Sequence, residues 1–149
     1  MAATDLVALL PHRPPMLLLE EAQMSGEREL LAYQTIPEDH PLLAGHFPGF
    51  PLWPGALLLE AMAQATAVYL LQSRDGLQAD EIPVLGAVEC RFLQPVFPGD
   101  RLCYRAELVR QVGDLGLFSV SASRGSEVVA RGKISAGLTS RSNLSSPVL

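Results

Sequence analysis

Cysteine, lysine and aromatic residues are all scarce in this chain. Two cysteines, Cys90 and Cys103, occur in 149 residues, with no metal-ligand or redox spacing between them. That excludes a disulfide framework or a thiolate metal site, and both are expected to be small buried apolar residues in reduced, cytoplasmic surroundings. One of the eleven basic residues is a lysine, Lys133, and sixteen acidic residues bring the net charge to −5. The balance excludes the basic footprint of a nucleic-acid binder. No metal, flavin, nicotinamide or nucleotide motif is present, so no cofactor is expected. No basic region precedes an apolar run near Asp5, and no signal peptide is read. The longest apolar stretch, residues 55–71, is short for a membrane span and contains Glu60 and Gln64, so a soluble protein is expected. The length suits one domain, burying roughly 68–70% of its unfolded surface.

What the chain does have is a loop rich in proline and glycine that runs straight into an apolar helix. The loop reads Gly45-His46-Phe47-Pro48-Gly49-Phe50-Pro51-Leu52-Trp53-Pro54-Gly55. Its prolines fix φ and its glycines permit unusual φ, so the backbone is expected to hold one shape. The helix continues Ala56-Leu57-Leu58-Leu59-Glu60-Ala61-Met62-Ala63-Gln64 and stays apolar on every side to Leu71, which predicts burial all round. Glu60 and Gln64 break the pattern and, four apart, share one face. A Glu is rarely buried without a partner. Burial disfavours its charged form and suits it to donate a proton. His46, fixed in the loop, is the candidate base. Pro54-Gly55 open the helix, where free N–H groups and the helix dipole favour developing negative charge. Base, acid and oxyanion site thus fall within a single short stretch.

This stretch resembles the (3R)-hydroxyacyl-[acyl-carrier-protein] dehydratases of type II fatty acid synthesis. The likeness lies in Gly-His-Phe-Pro-Gly-Phe-Pro, in Pro54-Gly55, and in Glu60-Ala61-Met62-Ala63-Gln64, with the same His-to-Glu interval. It extends from Leu9-Leu10-Pro11-His12-Arg13-Pro14 through Pro95-Val96-Phe97-Pro98-Gly99-Asp100 to about residue 138. The resemblance implies a hot-dog fold, and a dimer in which His46 of one chain meets Glu60 of the other, often assembled further as a trimer of dimers. It also implies the reaction: removal of water from a (3R)-3-hydroxyacyl thioester to give the trans-2-enoyl thioester. His46 would take the proton next to the thioester carbonyl, the Gly55 N–H would hold the carbonyl oxygen, and Glu60 would help the hydroxyl leave. Alternatively His46 handles both protons and Glu60 only holds the water. Gln64 either orients Glu60 or a water, or hydrogen-bonds across a dimer interface.

The rest of the chain reads as strands around this helix. Thr4 and Asp5 can cap a short helix through Leu10 that Pro11 ends. His12 follows in a stiff connector without a nearby partner and reads as scaffold. Strands are expected over Met16–Met24, Glu29–Ile36 and Val84–Phe92. Between the second strand and the loop, His40 sits in a breaker cluster and reads as a solvated loop residue. Pro98-Gly99-Asp100 predicts a type II turn. In the next strand Leu102, Tyr104, Ala106 and Leu108 alternate with Arg101, Arg105 and Glu107. Gly113 and Gly116 flank a further reversal, after which Phe118, Val120 and Ala122 face away from Ser119, Ser121 and Ser123. A last strand runs from Glu127 to about Leu138, with Val128, Ala130, Ile134 and Ala136 on one side. The serine-rich tail, 139–149, is expected to lack order. One helix and six strands give an α+β arrangement, an antiparallel sheet wrapped around the helix.

Two departures from the family pattern stand out. Trp53 occupies a place where a smaller residue is usual, and either lines an acyl tunnel with Phe50 and Phe92 or packs beneath the helix start. The segment Glu89–Gln94 lacks the lysines usual for docking acidic carrier protein. Arg91, Arg101 and Arg105 either replace them or are ordinary solvated strand positions. Acyl carrier protein or coenzyme A is the expected carrier. A hot-dog thioesterase and a non-catalytic acyl-binding subunit are the rival readings.

Overall fold

The computed structural model describes residues 4–74 and 76–144. A short helix α1 (Leu6–Leu9) precedes strands β1 (Glu21–Met24) and β2 (Glu29–Thr35). A 3-10 turn at Pro41–Gly45 and the proline-rich loop lead into the long helix α2 (Gly55–Gln72). Four strands follow, β3 (Glu81–Phe92), β4 (Arg101–Val112), β5 (Leu115–Arg124) and β6 (Glu127–Ser140), and then a helical turn α3 (Arg141–Leu144). All six strands form one antiparallel sheet in the order β1-β2-β4-β5-β6-β3. It wraps around α2, which packs on β2, β4, β5 and β6. This is the hot-dog fold that the resemblance implied.

Alternation along the strands decides which face meets the helix. On β4, Leu102, Tyr104, Ala106 and Leu108 are buried while Arg101 and Arg105 are exposed, and on β5 Phe118, Val120 and Ala122 turn inward. The ring of Phe118 meets Tyr69 of α2 edge-on at 5.4 Å between centroids. The second half of α2, Ala65 to Leu71, is buried on every side as its composition requires. The first half is not. Ala56, Leu59, Glu60 and Ala63 remain partly open along one stripe, because the sheet does not close over that side.

Several local expectations give way to tertiary contacts. The first strand begins at Glu21 rather than Met16, since the Leu18 N–H is taken by the Gln64 side chain and not by a neighbouring strand. Gly116 lies inside β5, where an added Cβ would stand 2.6 Å from the Phe118 ring, so close packing and not a turn requires it. The reversal falls instead between Val112 and Leu115. A bulge at Ala122/Ser123 shifts the pairing with β6, so Val128 points outward, 40% exposed, while Val129 and Ala130 are both buried. His40 is half-buried and not freely solvated: Nδ1 accepts from the Leu42 N–H at 3.2 Å and its ring meets Trp53 edge-on at 5.2 Å. The turn at 97–100 follows its sequence, with Gly99 at φ 89° and the Asp100 N–H bonded to the Phe97 carbonyl. Strand β6 runs two residues past its expected end and Arg141–Leu144 are helical, so those residues of the expected tail carry structure, while 145–149 fall outside the described residues. Among the described residues no helix is long and apolar enough to cross a membrane.

Candidate active site

The loop that carries His46 is fixed by its own backbone. The His46 N–H donates to the Leu43 carbonyl at 3.1 Å, and the Leu52 N–H donates to the His46 carbonyl at 2.7 Å. Phe47 and Phe50 exchange N–H···O bonds of 2.9 Å, the His46–Phe47 peptide is cis, and the Trp53 N–H anchors the loop's end on the Val96 carbonyl at 2.8 Å. The imidazole of His46 stacks on Phe47, with 4.3 Å between centroids. Its Nδ1 lies 2.8 Å from the Leu52 carbonyl oxygen. A carbonyl can only accept, so the surroundings assign the proton to Nδ1 and leave Nε2 with the lone pair. Nothing in the sequence marks Leu52 for this part, because a main-chain carbonyl has no residue signature.

Glu60 projects from the open stripe of α2 into a cleft of about 160 Å³ between the helix and strands β3 and β6. Gln64, one turn on and 1% exposed, holds it: Nε2 donates to Glu60 Oε1 at 3.0 Å and to the Met16 carbonyl at 2.7 Å, while Oε1 accepts from the Leu18 N–H at 3.0 Å. The carboxamide therefore ties the 16–18 segment to the helix face and fixes one carboxylate oxygen. The Glu60 side chain is 28% exposed within one chain, so full burial is not reached there. A residue the sequence reading set aside as scaffold reaches the same cleft. His12 Nε2 stands 3.7 Å from Glu60 Oε1, although the two lie 48 positions apart. Burial pushes the His12 pKa below its ordinary 6.5, against an opposing pull from the Glu60 carboxylate.

Gly55 begins α2, and its N–H precedes any intrahelical acceptor. Pro54, the capping residue, offers no side-chain bond in its place. A cleft of about 300 Å³ at this helix end is lined by Trp53, Gly55, Leu58 and Phe92 among others, and a Cβ on Gly55 would stand 3.2 Å from the Phe92 ring. Trp53 itself is buried at 2% exposure beneath the helix start. Phe50 is 58% exposed, meets Phe97 edge-on, and does not line this cleft. Within one chain, neither His46 nor Gly55 lines the cleft that holds Glu60.

The three arginines grouped by sequence do not form one patch. Arg101 and Arg105 lie on β4, separated by two strands, β5 and β6, from β3 and its Arg91. Arg101 pairs with Glu20 and Glu21, and Arg105 with Glu29 and Glu107. Arg91 instead faces Arg131 across the β3–β6 ladder, with Lys133 two positions further along β6. None of these three joins an ion pair among the described residues. Cys90 and Cys103 are free and only partly buried, and desolvation raises both thiol pKa values.

A single sheet wrapped around a long helix, with a rigid histidine loop at the helix start and a Glu/Gln pair on its open stripe, defines a hot-dog protein. The chain belongs to the FabA-like domain family, whose model matches residues 10–133. It is 35% identical over 142 residues to the 3-hydroxyacyl-[acyl-carrier-protein] dehydratase FabZ of Lawsonia intracellularis, covering 93% of each chain. It is 39% identical over 129 residues to the enzyme of that name from Myxococcus xanthus, covering 83% of this chain and 84% of that one. Among solved structures, the dehydratase heterocomplex ApeI:P from Xenorhabdus doucetiae superposes with a TM-score of 0.74 at 23% identity, over 93% of each chain. The fluoroacetyl-CoA thioesterase FlK superposes at 0.64 and 16% identity, over 82% of this chain and 93% of that one. Both are likenesses of fold.

Proposed function

We propose that the protein removes water from a (3R)-3-hydroxyacyl thioester, carried on acyl carrier protein, to give the trans-2-enoyl thioester in fatty acid or related lipid or polyketide synthesis. The observation that carries this reading is the tautomer of His46: with Nδ1–H given to Leu52, Nε2 is free to take the C2 proton. The electron pair of that C–H bond becomes the C2–C3 double bond as the C3–O bond breaks. Protonated Glu60 gives its proton to the departing hydroxyl, which leaves as water. The Gly55 N–H receives charge on the thioester oxygen, a role worth about 3–4 kcal/mol at the transition state. Gln64 holds Oε1 of Glu60, which leaves Oε2 as the oxygen to serve the leaving group.

The site is completed by a second copy. β3 is a sheet edge twelve residues long, and Val88 and Phe92, on the side that faces the interior, are 38% and 51% exposed. A long edge with apolar side chains invites strand pairing. Pairing two β3 edges covers this surface and brings His46 of one protomer to Glu60 of the other, and such dimers can assemble further in threes. Arg91, Arg131 and Lys133 give a cationic patch for an acidic carrier, with Arg101 and Arg105 already neutralised. The cytoplasm is the expected setting.

Incubating the protein with 3-hydroxyacyl and trans-2-enoyl thioesters of several chain lengths on carrier protein and on coenzyme A tests the reading. Interconversion with absorbance change at the enoyl band and no free thiol supports it. Thiol release without that change identifies hydrolysis and overturns it.

A further inference from the structure

The mechanism uses one imidazole, yet a second one faces the carboxyl. Both polar neighbours of Glu60 fall on the same oxygen: Gln64 Nε2 at 3.0 Å and His12 Nε2 at 3.7 Å from Oε1. The other ring nitrogen, Nδ1 of His12, is buried with no hydrogen-bond partner. The backbone that carries the ring is tied to its own segment, since the Arg13 guanidinium donates to the Leu10 and His12 carbonyls at 2.8 and 2.7 Å. An unmet buried acceptor is easier to sustain than an unmet N–H, so the neutral tautomer that fits puts its proton on Nε2, toward Glu60.

We propose that His12 is a positioning residue for Glu60: as a neutral imidazole it directs Nε2–H to Oε1, beside Gln64, and so confines the acidic proton to Oε2. This rests on the dehydratase reading above. The separation of 3.7 Å exceeds a direct hydrogen bond, and the contact closes as the carboxyl engages substrate. A protonated His12 would do the opposite. An imidazolium beside Oε1 holds Glu60 as a carboxylate, which has no proton to give. Within one chain the rest of the cleft supplies no competing charge: Pro83, Val84 and Leu85 of β3 and Ala136 and Gly137 of β6 carry none, and Gln64 is neutral. In the paired site the one further titratable group is His46 of the other protomer, present alike in the parent and in every His12 variant.

The test uses the full chain with His12→Ala, His12→Gln and His12→Asn, comparing kcat, KM and the pH dependence of dehydration. Gln carries an N–H to about the reach of Nε2, whereas Asn does not. Expected are a loss of roughly 10- to 100-fold in kcat for the Ala and Asn variants with KM within about threefold. Gln should recover most of that loss. On the acid side of pH 6.5 the parent's activity should fall more steeply than that of the Gln variant, because His46 titrates in both proteins and only the parent adds the His12 imidazolium. Should the Ala variant fail to fold, the Gln and Asn pair carries the comparison. Equal losses for Ala, Asn and Gln, a loss confined to KM, or kcat within twofold of the parent would overturn the proposal. A parent that hydrates and dehydrates nothing would instead sink the dehydratase reading, so the two failures are distinguishable.

Discussion

Gln64 and Glu60 lie one helical turn apart on α2 and share a hydrogen bond of 3.0 Å, Nε2 to Oε1. Among the described residues the same carboxamide makes the only hydrogen bonds from α2 to the backbone of Met16 and Leu18, so site geometry and local folding share one side chain. Gln64→Leu removes all three bonds and strands a buried N–H and a carbonyl, at roughly 1–3 kcal/mol each. Expected are a Tm lowered by about 5–12 °C and a marked fall in kcat. Thermal unfolding followed by circular dichroism checks the first and steady-state kinetics the second. An unchanged Tm would mean that water replaces the carboxamide.

His46 does not line the cleft that holds Glu60 within one chain, so the proposed shared site makes a quantitative prediction. His46→Ala and Glu60→Gln proteins should each be nearly inactive. Unfolded together and refolded in equal amounts, half of the dimers are mixed, and each mixed dimer has one intact site. Activity should return to about a quarter of the parent's. No recovery, with mixed dimers confirmed by native mass spectrometry, would place both groups in the same subunit.

Val88, exposed in the single chain on the inner face of β3, would be covered by the partner strand. Val88→Lys would bury a charge at that edge and should yield a folded monomer with little activity. Sedimentation equilibrium reads the mass and circular dichroism the fold. A dimer that persists at unchanged affinity would show that the subunits meet elsewhere.

His12 also ties stability to pH. Its pKa is depressed in the fold, so between the folded value and 6.5 the unfolded chain binds the extra proton. The stabilisation is therefore complete above pH 6.5 and is lost as pH falls through the folded pKa. Denaturant midpoints measured from pH 7.5 to 5 should fall more for the parent than for His12→Gln. Parallel curves would remove His12 as the titrating group.

The loop and helix at 45–64 were legible because their chemistry is local. Proline and glycine restrict the backbone where they stand, and a four-residue interval aligns Glu60 with Gln64 on any helix. The alternating strands β4 and β5 were readable for the same reason, since side chains on a pleated backbone alternate wherever it goes. His12 was misjudged because nothing within its own segment partners it. Its neighbour Glu60 arrives through the packing of a loop onto a helix far along the chain. The clustering of Arg91 with Arg131 and Lys133, rather than with Arg101 and Arg105, was likewise hidden: strand order, not distance in sequence, sets which cations are adjacent.

The sequence by itself determined the residue types at the site, the rigidity of the histidine loop and the buried second half of α2, all consequences of covalent geometry and periodicity. Only the tertiary structure decided where Glu60's open face lies, which nitrogen of His46 carries its proton, and that a second histidine stands beside the carboxyl. Those depend on which distant backbone groups come within hydrogen-bond reach, and that is fixed by how the sheet closes over the helix.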